Sequence, residues 1–181
     1  MPTSLPSPPL QPACLLAFPA LQARYPDHDW LVLQADPDAS QVWRFAREST
    51  SPIRHQLPLG YGQLATQYLR RPPVTAGHVE QVIELVEDQI MPLTRSWPAA
   101  GPSLGLLCSA PDMAALIAQL PDPQATLQHT DTIEQLFNRY ANHMMGGGHS
   151  SLQLSPEQAA LLILLRECLH HWGCQQVAWQ G

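Results

Sequence analysis

The sequence predicts an α+β fold, with a small N-terminal antiparallel sheet packed with a predominantly helical C-terminal part around one central buried helix. Three observations carry this. Strand-like segments come first and helix-like segments follow, an order that argues against a doubly wound parallel sheet. Residues 30–33 and 41–45 (WLVL and QVWRF) are rich in β-branched and aromatic side chains and flank the turn-forming stretch 36–40, DPDAS. The stretch 155–173, SPEQAALLILLRECLHHWG, reads as a helix marked at both ends. Ser155 suits the N-cap, Pro156 the first helical position, and Gln158 completes a capping box. Gly173 is placed for a left-handed C-cap. Residues 159–165 are apolar without interruption, as expected of a helix buried on every side.

In chain order, residues 1–12 are Pro- and Ser-rich and read as a flexible arm; residues 13–181 read as one compact domain, with soft boundaries near 71–75 or 96–103. Leu15, Leu16, Phe18 and Leu21 suggest a short helix before Pro26, interrupted or restarted at Pro19. The hairpin spans about 30–46. Val42 and Arg44 should face one way, Trp43 and Phe45 the other. Alternation at Ile53, His55 and Leu57 suggests a third strand over about 53–57. A helix with Leu64, Ala65, Tyr68 and Leu69 follows, then a second over 75–91, ending before Pro92, with Val79, Val82, Ile83, Val86 and Ile90 on one stripe. Residues 104–108 read as a short buried strand. Ser109 should cap one further helix and Asp131 another; Gly146-Gly-Gly148 stops the latter. After the central helix, 156–172, residues 174–179 read as a closing strand.

Composition excludes several classes. All nine basic residues are arginine, so Schiff-base and lysine-dependent phosphate chemistry are absent; the bias fits a GC-rich bacterial genome. Net charge is −6, and neither half carries the basic field that nucleic acid requires. No apolar run is long enough to span a membrane. Cys14, Cys108, Cys168 and Cys174 lack paired spacing, and the N-terminus lacks a basic leader, which points to a reducing cytoplasm.

Three clusters could carry chemistry. Glu167-Cys-Leu-His170 has the Glu-x-x-His spacing of carboxylate-bridged metal bundles, but no second copy exists. Arg166, Glu167, His170 and His171 are otherwise explained by ion pairing and by the favourable negative end of the helix. Glu80, Glu84, Glu87 and Asp88 make an acidic side on helix 75–91 able to hold a hard cation, or simply to face water. Gly148-His-Ser150 begins like a hydrolase nucleophile elbow, but Leu152 occupies its last glycine position and a helix, not a strand, precedes it.

With no strong catalytic signature, the first expectation is a small cytoplasmic accessory or protein-interaction module that binds another protein or its own copy, as a homo-oligomer. The alternative is a metal- or small-molecule-dependent enzyme using Glu167 and His170 with Glu84 and Glu87 of helix 75–91. No cofactor is expected beyond a divalent metal at those four residues, and no nucleic-acid or membrane partner.

Overall fold

A computed structural model describes residues 13–45, 52–97, 103–144 and 152–180. The arm at 1–12 and the Gly146–Ser151 stretch, with His149 and Ser150, lie outside the described residues. Helix α1 (Ala13–Arg24) precedes the meander β1 (Asp29–Ala35), β2 (Ser40–Phe45) and β3 (Ile53–Leu57). Then come α2 (Tyr61–Leu64), which continues as a π-turn over Ala65–Leu69, and the long helix α3 (Ala76–Ser96). Strand β4 (Leu104–Ser109), the short α4 (Met113–Ile117), β5 (Gln128–His129), α5 (Thr130–Met144), α6 (Pro156–Trp172) and β6 (Gln176–Gln180) complete the order.

The α+β class holds, but the sheet is larger than the expected hairpin plus one strand. It has six strands in the order β3-β2-β1-β4-β6-β5. The meander is antiparallel, β1–β4 and β4–β6 are parallel, and β5 returns antiparallel on β6. The strands expected at 104–108 and 174–179 are present as β4 and β6. The parallel pairing of β4 with β1 and of β6 with β4 was not expected, because each joins segments about 70 residues apart, beyond any local pattern.

The two faces have separate cores. On one, Leu31, Leu33, Val42, Leu106 and Val177 pack with α2 to α6. On the other, Trp30, Val32, Trp43, Leu107 and Ala178 pack with Cys14 and Phe18 of α1. Val42 and Trp43 thus divide between the faces as the alternation predicts.

Helix α6 is the centre of the larger core. Residues 159–165 are all buried, at most 2% exposed. The capping box is present: Gln158 N–H donates to Ser155 Oγ at 3.1 Å, and Ser155 N–H to Gln158 Oε1 at 2.9 Å. Gly173 closes the helix at φ 69°, a conformation costly for any residue with a Cβ. Helix α3 differs from expectation in running through Pro92 to Ser96. Pro92 removes one helical hydrogen bond, and past it Leu93 and Trp97 pack against the larger core. The helix expected after Ser109 starts later, at Met113, with Asp112 at its N-cap. The helix expected to be capped by Asp131 starts two residues earlier, at Thr130, with Asp131 in its first turn. Among the described residues no helix is long and apolar enough to cross a membrane.

Candidate functional site

Strands β1, β4 and β6 run the same way and end together. From β1 the chain turns back to β2, whereas from β4 it passes to α4. Connections that diverge from neighbouring strands leave a crevice at their carboxyl ends, the usual ligand position in such sheets. Here the register places Gln34 beside Ser109 and Ser109 beside Gln180. Residues paired across parallel strands share a face, so these side chains form a polar row beyond the apolar patch of Val32, Leu107 and Ala178. With Asp36 they line a cleft of about 340 Å³.

The row is rich in acceptors. Gln34 Nε2 donates to Asp36 Oδ2 at 2.8 Å. A carboxylate only accepts, so this bond fixes the amide and turns Gln34 Oε1 the other way. That oxygen is buried without a partner, as is Gln180 Oε1. A buried polar atom left unpaired costs about 1–3 kcal/mol, which makes a ligand for it worth seeking.

The β1–β2 loop beside the row is firmly held. Asp36 N–H donates to Ala39 O at 3.2 Å, and Gln63 N–H to Pro37 O at 3.1 Å. Ser40 Oγ donates to Leu59 O at 2.8 Å. A Cβ on Gly60 would lie 2.1 Å from Pro37 O, so only glycine lets α2 approach the loop. On the far side Tyr61 OH donates to Asp112 Oδ2 at 2.7 Å. Burial, with that hydrogen bond, pushes the Tyr61 hydroxyl above its ordinary value and keeps it a donor. Asp36, Asp38 and Asp112 thus gather at this end of the sheet, and among the described residues no arginine pairs with them.

A second polar cluster lies at the other end of the sheet, at the foot of α6, where the chain turns into β6. Glu167 is fully buried. Its Oε1 accepts from Arg166 Nη1 at 2.5 Å, and Arg166 Nε donates to Glu134 Oε1 at 2.9 Å. Burial alone would lower the Arg166 pKa, but Glu167 and Glu134 outweigh it and hold the guanidinium above its ordinary value. His171 Nε2 lies 2.8 Å from Glu87 Oε1 and 3.5 Å from Glu167 Oε2. One ligand atom from each of Glu87, Glu167 and His171 falls within 4.8 Å of the others.

The structure therefore brings together two of the four residues singled out for a metal, Glu87 and Glu167, and leaves out the other two. His170 is exposed, and Glu84 lies on the solvent side of α3. The missed partner is His171. Its signal was the i,i+4 spacing from Glu167, which turns it toward α3, whereas the i,i+3 spacing turns His170 outward. On α3, Glu87 borders the buried stripe through Val86 and Ile90, and Glu84 sits opposite it. Gln34, Asp36, Ser109 and Gln180 were missed altogether. Only Asp36 had a local signal, as the first residue of a turn. All four cysteines are free and buried. Burial pushes the Cys14 thiol up to about 11 and the other three higher still, so they are poor nucleophiles.

No protein-family model matches the chain, and no curated protein matches it by sequence. Solved structures do. A Ppx/GppA phosphatase of Aquifex aeolicus, in its type II variant, superposes with a TM-score of 0.66 at 14% identity, over 93% of this chain and 57% of that one. An exopolyphosphatase from Cytophaga hutchinsonii gives 0.61 at 13% identity, over 92% and 58%. These likenesses are to enzymes, and they overturn the expectation of a non-catalytic accessory or protein-interaction module; nothing in them supports a homo-oligomer. The polar row has no sequence motif because it is assembled from three strands far apart in the chain. The chain spans a little over half the length of the structures it matches, and it shares its fold with that part of a Ppx/GppA-type phosphatase.

Proposed function

We propose that this chain is a phosphohydrolase domain that uses a divalent cation to bind phosphoanhydride chains such as polyphosphate, at the cleft formed by Asp36, Gln34, Ser109 and Gln180. The observation that carries the reading is the unpaired, acceptor-rich polar row at the carboxyl ends of β1, β4 and β6. The fold shared with phosphatases supports it.

The donor set decides what the cleft can take. A bare phosphate would meet carboxylates and carbonyl-type oxygens and be repelled. Oxygen ligands without sulfur or imidazole suit a hard cation such as Mg²⁺. Asp36 would hold it, with Gln34 Oε1 and Gln180 Oε1 as neutral ligands. When bound, the cation supplies the positive charge that phosphate oxygens and a developing negative charge require. Ser109, half-buried in the same row, offers a hydroxyl to orient a phosphate oxygen. Pinning of the β1–β2 loop by Gln63 and Ser40 keeps Asp36 in place, so little reorganisation is needed on binding. In the hydrolysis itself water forms the new P–O bond and the bridging P–O bond breaks. Orthophosphate leaves, and the shortened chain keeps the bridging oxygen.

The test is orthophosphate release from, and binding of, polyphosphate by the purified chain with Mg²⁺ or with EDTA. We expect Mg²⁺-dependent binding and release, both lost in Asp36→Asn. Neither binding nor release at any Mg²⁺ concentration, or equal behaviour of wild type and Asp36→Asn, overturns the reading.

A further inference from the structure

The foot of α6 asks for a different ligand. We infer that Glu87, Glu167 and His171 form a second, borderline-metal site, best suited to Zn²⁺, that clamps α3 to α6 at the end of the sheet remote from the Asp36 cleft. It does not depend on the phosphohydrolase reading.

Three independent observations lead there. First, Glu167 is completely buried, yet its Oε2 has no hydrogen-bond partner; the nearest base is His171 Nε2 at 3.5 Å. A buried carboxylate with one oxygen satisfied by Arg166 and the other left toward an imidazole is an incomplete arrangement. Second, the charges do not balance. Three carboxylates, Glu87, Glu134 and Glu167, gather around one guanidinium, which Glu134 and Glu167 share while Glu87 meets His171, so they outnumber the permanent cation by two. A divalent cation removes that surplus. Third, the spacing suits coordination. Metal bonds of about 2.0–2.1 Å put tetrahedral ligands roughly 3.3 Å apart. The His171–Glu167 separation of 3.5 Å is close to that value, and the His171–Glu87 pair, at 2.8 Å, needs to open by about half an ångström.

The ligand chemistry selects the ion. One imidazole and two carboxylates favour Zn²⁺ over Mg²⁺, which prefers an all-oxygen, largely hydrated octahedron. The side chains of His171 and Glu87 keep 21% and 34% of their exposure, so an ion can enter and water can take the fourth position. Glu134, through Arg166, orients the Glu167 carboxylate from behind, as outer partners of metal ligands commonly do. The competing arrangement is a protonated His171 bridging two carboxylates with no metal at all.

The experiment uses the whole chain after EDTA treatment and dialysis. Zn²⁺ is titrated by calorimetry, thermal unfolding is followed with and without Zn²⁺, and the bound ion is examined by zinc K-edge absorption. We expect one site of micromolar or tighter affinity, a higher melting temperature with Zn²⁺, and a nitrogen-and-oxygen ligand shell. Glu167→Gln should weaken binding at least tenfold and remove the thermal shift. Because Glu167 is buried, His171→Gln and Glu87→Gln, at partly exposed positions, serve as the variants that keep the fold. Asp36→Asn should bind Zn²⁺ as wild type does, which separates this site from the cleft. Sulfur in the shell, no binding, or binding unchanged in His171→Gln and Glu87→Gln overturns the inference in favour of the ion pair.

Discussion

The two ends of the sheet handle polar groups in opposite ways. At the carboxyl ends of β1, β4 and β6, amide oxygens are left unpaired beside carboxylates, in a cleft whose loop is rigidly held. At the foot of α6, a buried glutamate is enclosed by an arginine, two further glutamates and a histidine, a cluster drawn from three helices. The first arrangement is assembled from strand ends and stays open. The second is assembled from helix faces and is nearly closed. Open, unpaired acceptors suit a ligand that comes and goes; an enclosed cluster suits one that stays.

The sharpest way to break this contrast is to remove charge from the open end. Asp36→Asn should lower Mg²⁺-dependent phosphate release by about 10²-fold or more while changing the melting temperature little, because Asp36 is partly exposed and its carboxylate accepts a hydrogen bond from Gln34 that the asparagine oxygen can also accept. Equal activity in the two proteins would sink the assignment of the cleft.

Next in size is the support shared by both ends. Leu161 lies in the fully buried stretch of α6, and Leu161→Ala should cost about 3 kcal/mol. For a chain of this length that is roughly a 6–12 °C drop in melting temperature. A drop of a degree or less would mean that α6 is not the centre of the core.

Gly60→Ala tests whether the rigidity of the β1–β2 loop matters. The added methyl would collide with the Pro37 carbonyl, so the loop must move. We expect a loss of about 1–3 kcal/mol and a fall in activity larger than that instability explains. Zinc affinity at the far end should be untouched, and a change there would couple the two sites.

The smallest effect is at the surface. Arg70 Nη2 lies 2.6 Å from Glu157 Oε1 and holds that carboxyl below its ordinary value. Because the folded value is depressed, the pair stabilises the fold above the unfolded carboxyl pKa, and the contribution is lost as pH falls through the depressed one. The arginine is more than half exposed, so Arg70→Ala should cost well under about 1 kcal/mol at neutral pH and nothing in strong acid, read from urea unfolding at both.

What was legible in the residues follows from range. Ser155, Pro156, Gln158 and Gly173 announced α6 because capping is a contact of three or four residues. The hairpin of Leu33 and Val42 announced itself because its turn is local. Leu106 and Val177 were visible as apolar strand residues, but nothing in either segment tells that β4 enters between β1 and β6. The cleft inherits that blindness. Gln34, Ser109 and Gln180 each look like the polar end of an ordinary strand, and only the sheet order makes them neighbours. At the foot of α6, Glu87 and Glu167 were named from helical spacing alone, since one helix face is readable. His171 was passed over for His170, because choosing between i+3 and i+4 requires knowing where α3 lies.

The sheet order also dictates a sequence of events during synthesis. Strands β1, β2 and β3 can pair as soon as they emerge, since each lies next to its neighbour in the chain. Strand β4 then docks on β1, but its other edge has no partner until β6 arrives about 70 residues later. In that interval an apolar strand offers an unpaired edge to any other nascent chain. The five residues of β6 therefore act as a guard as much as a structural element. Chains released before residue 176 should collect in aggregates and those released after residue 180 should not, a difference that sedimentation of arrested translation products would show.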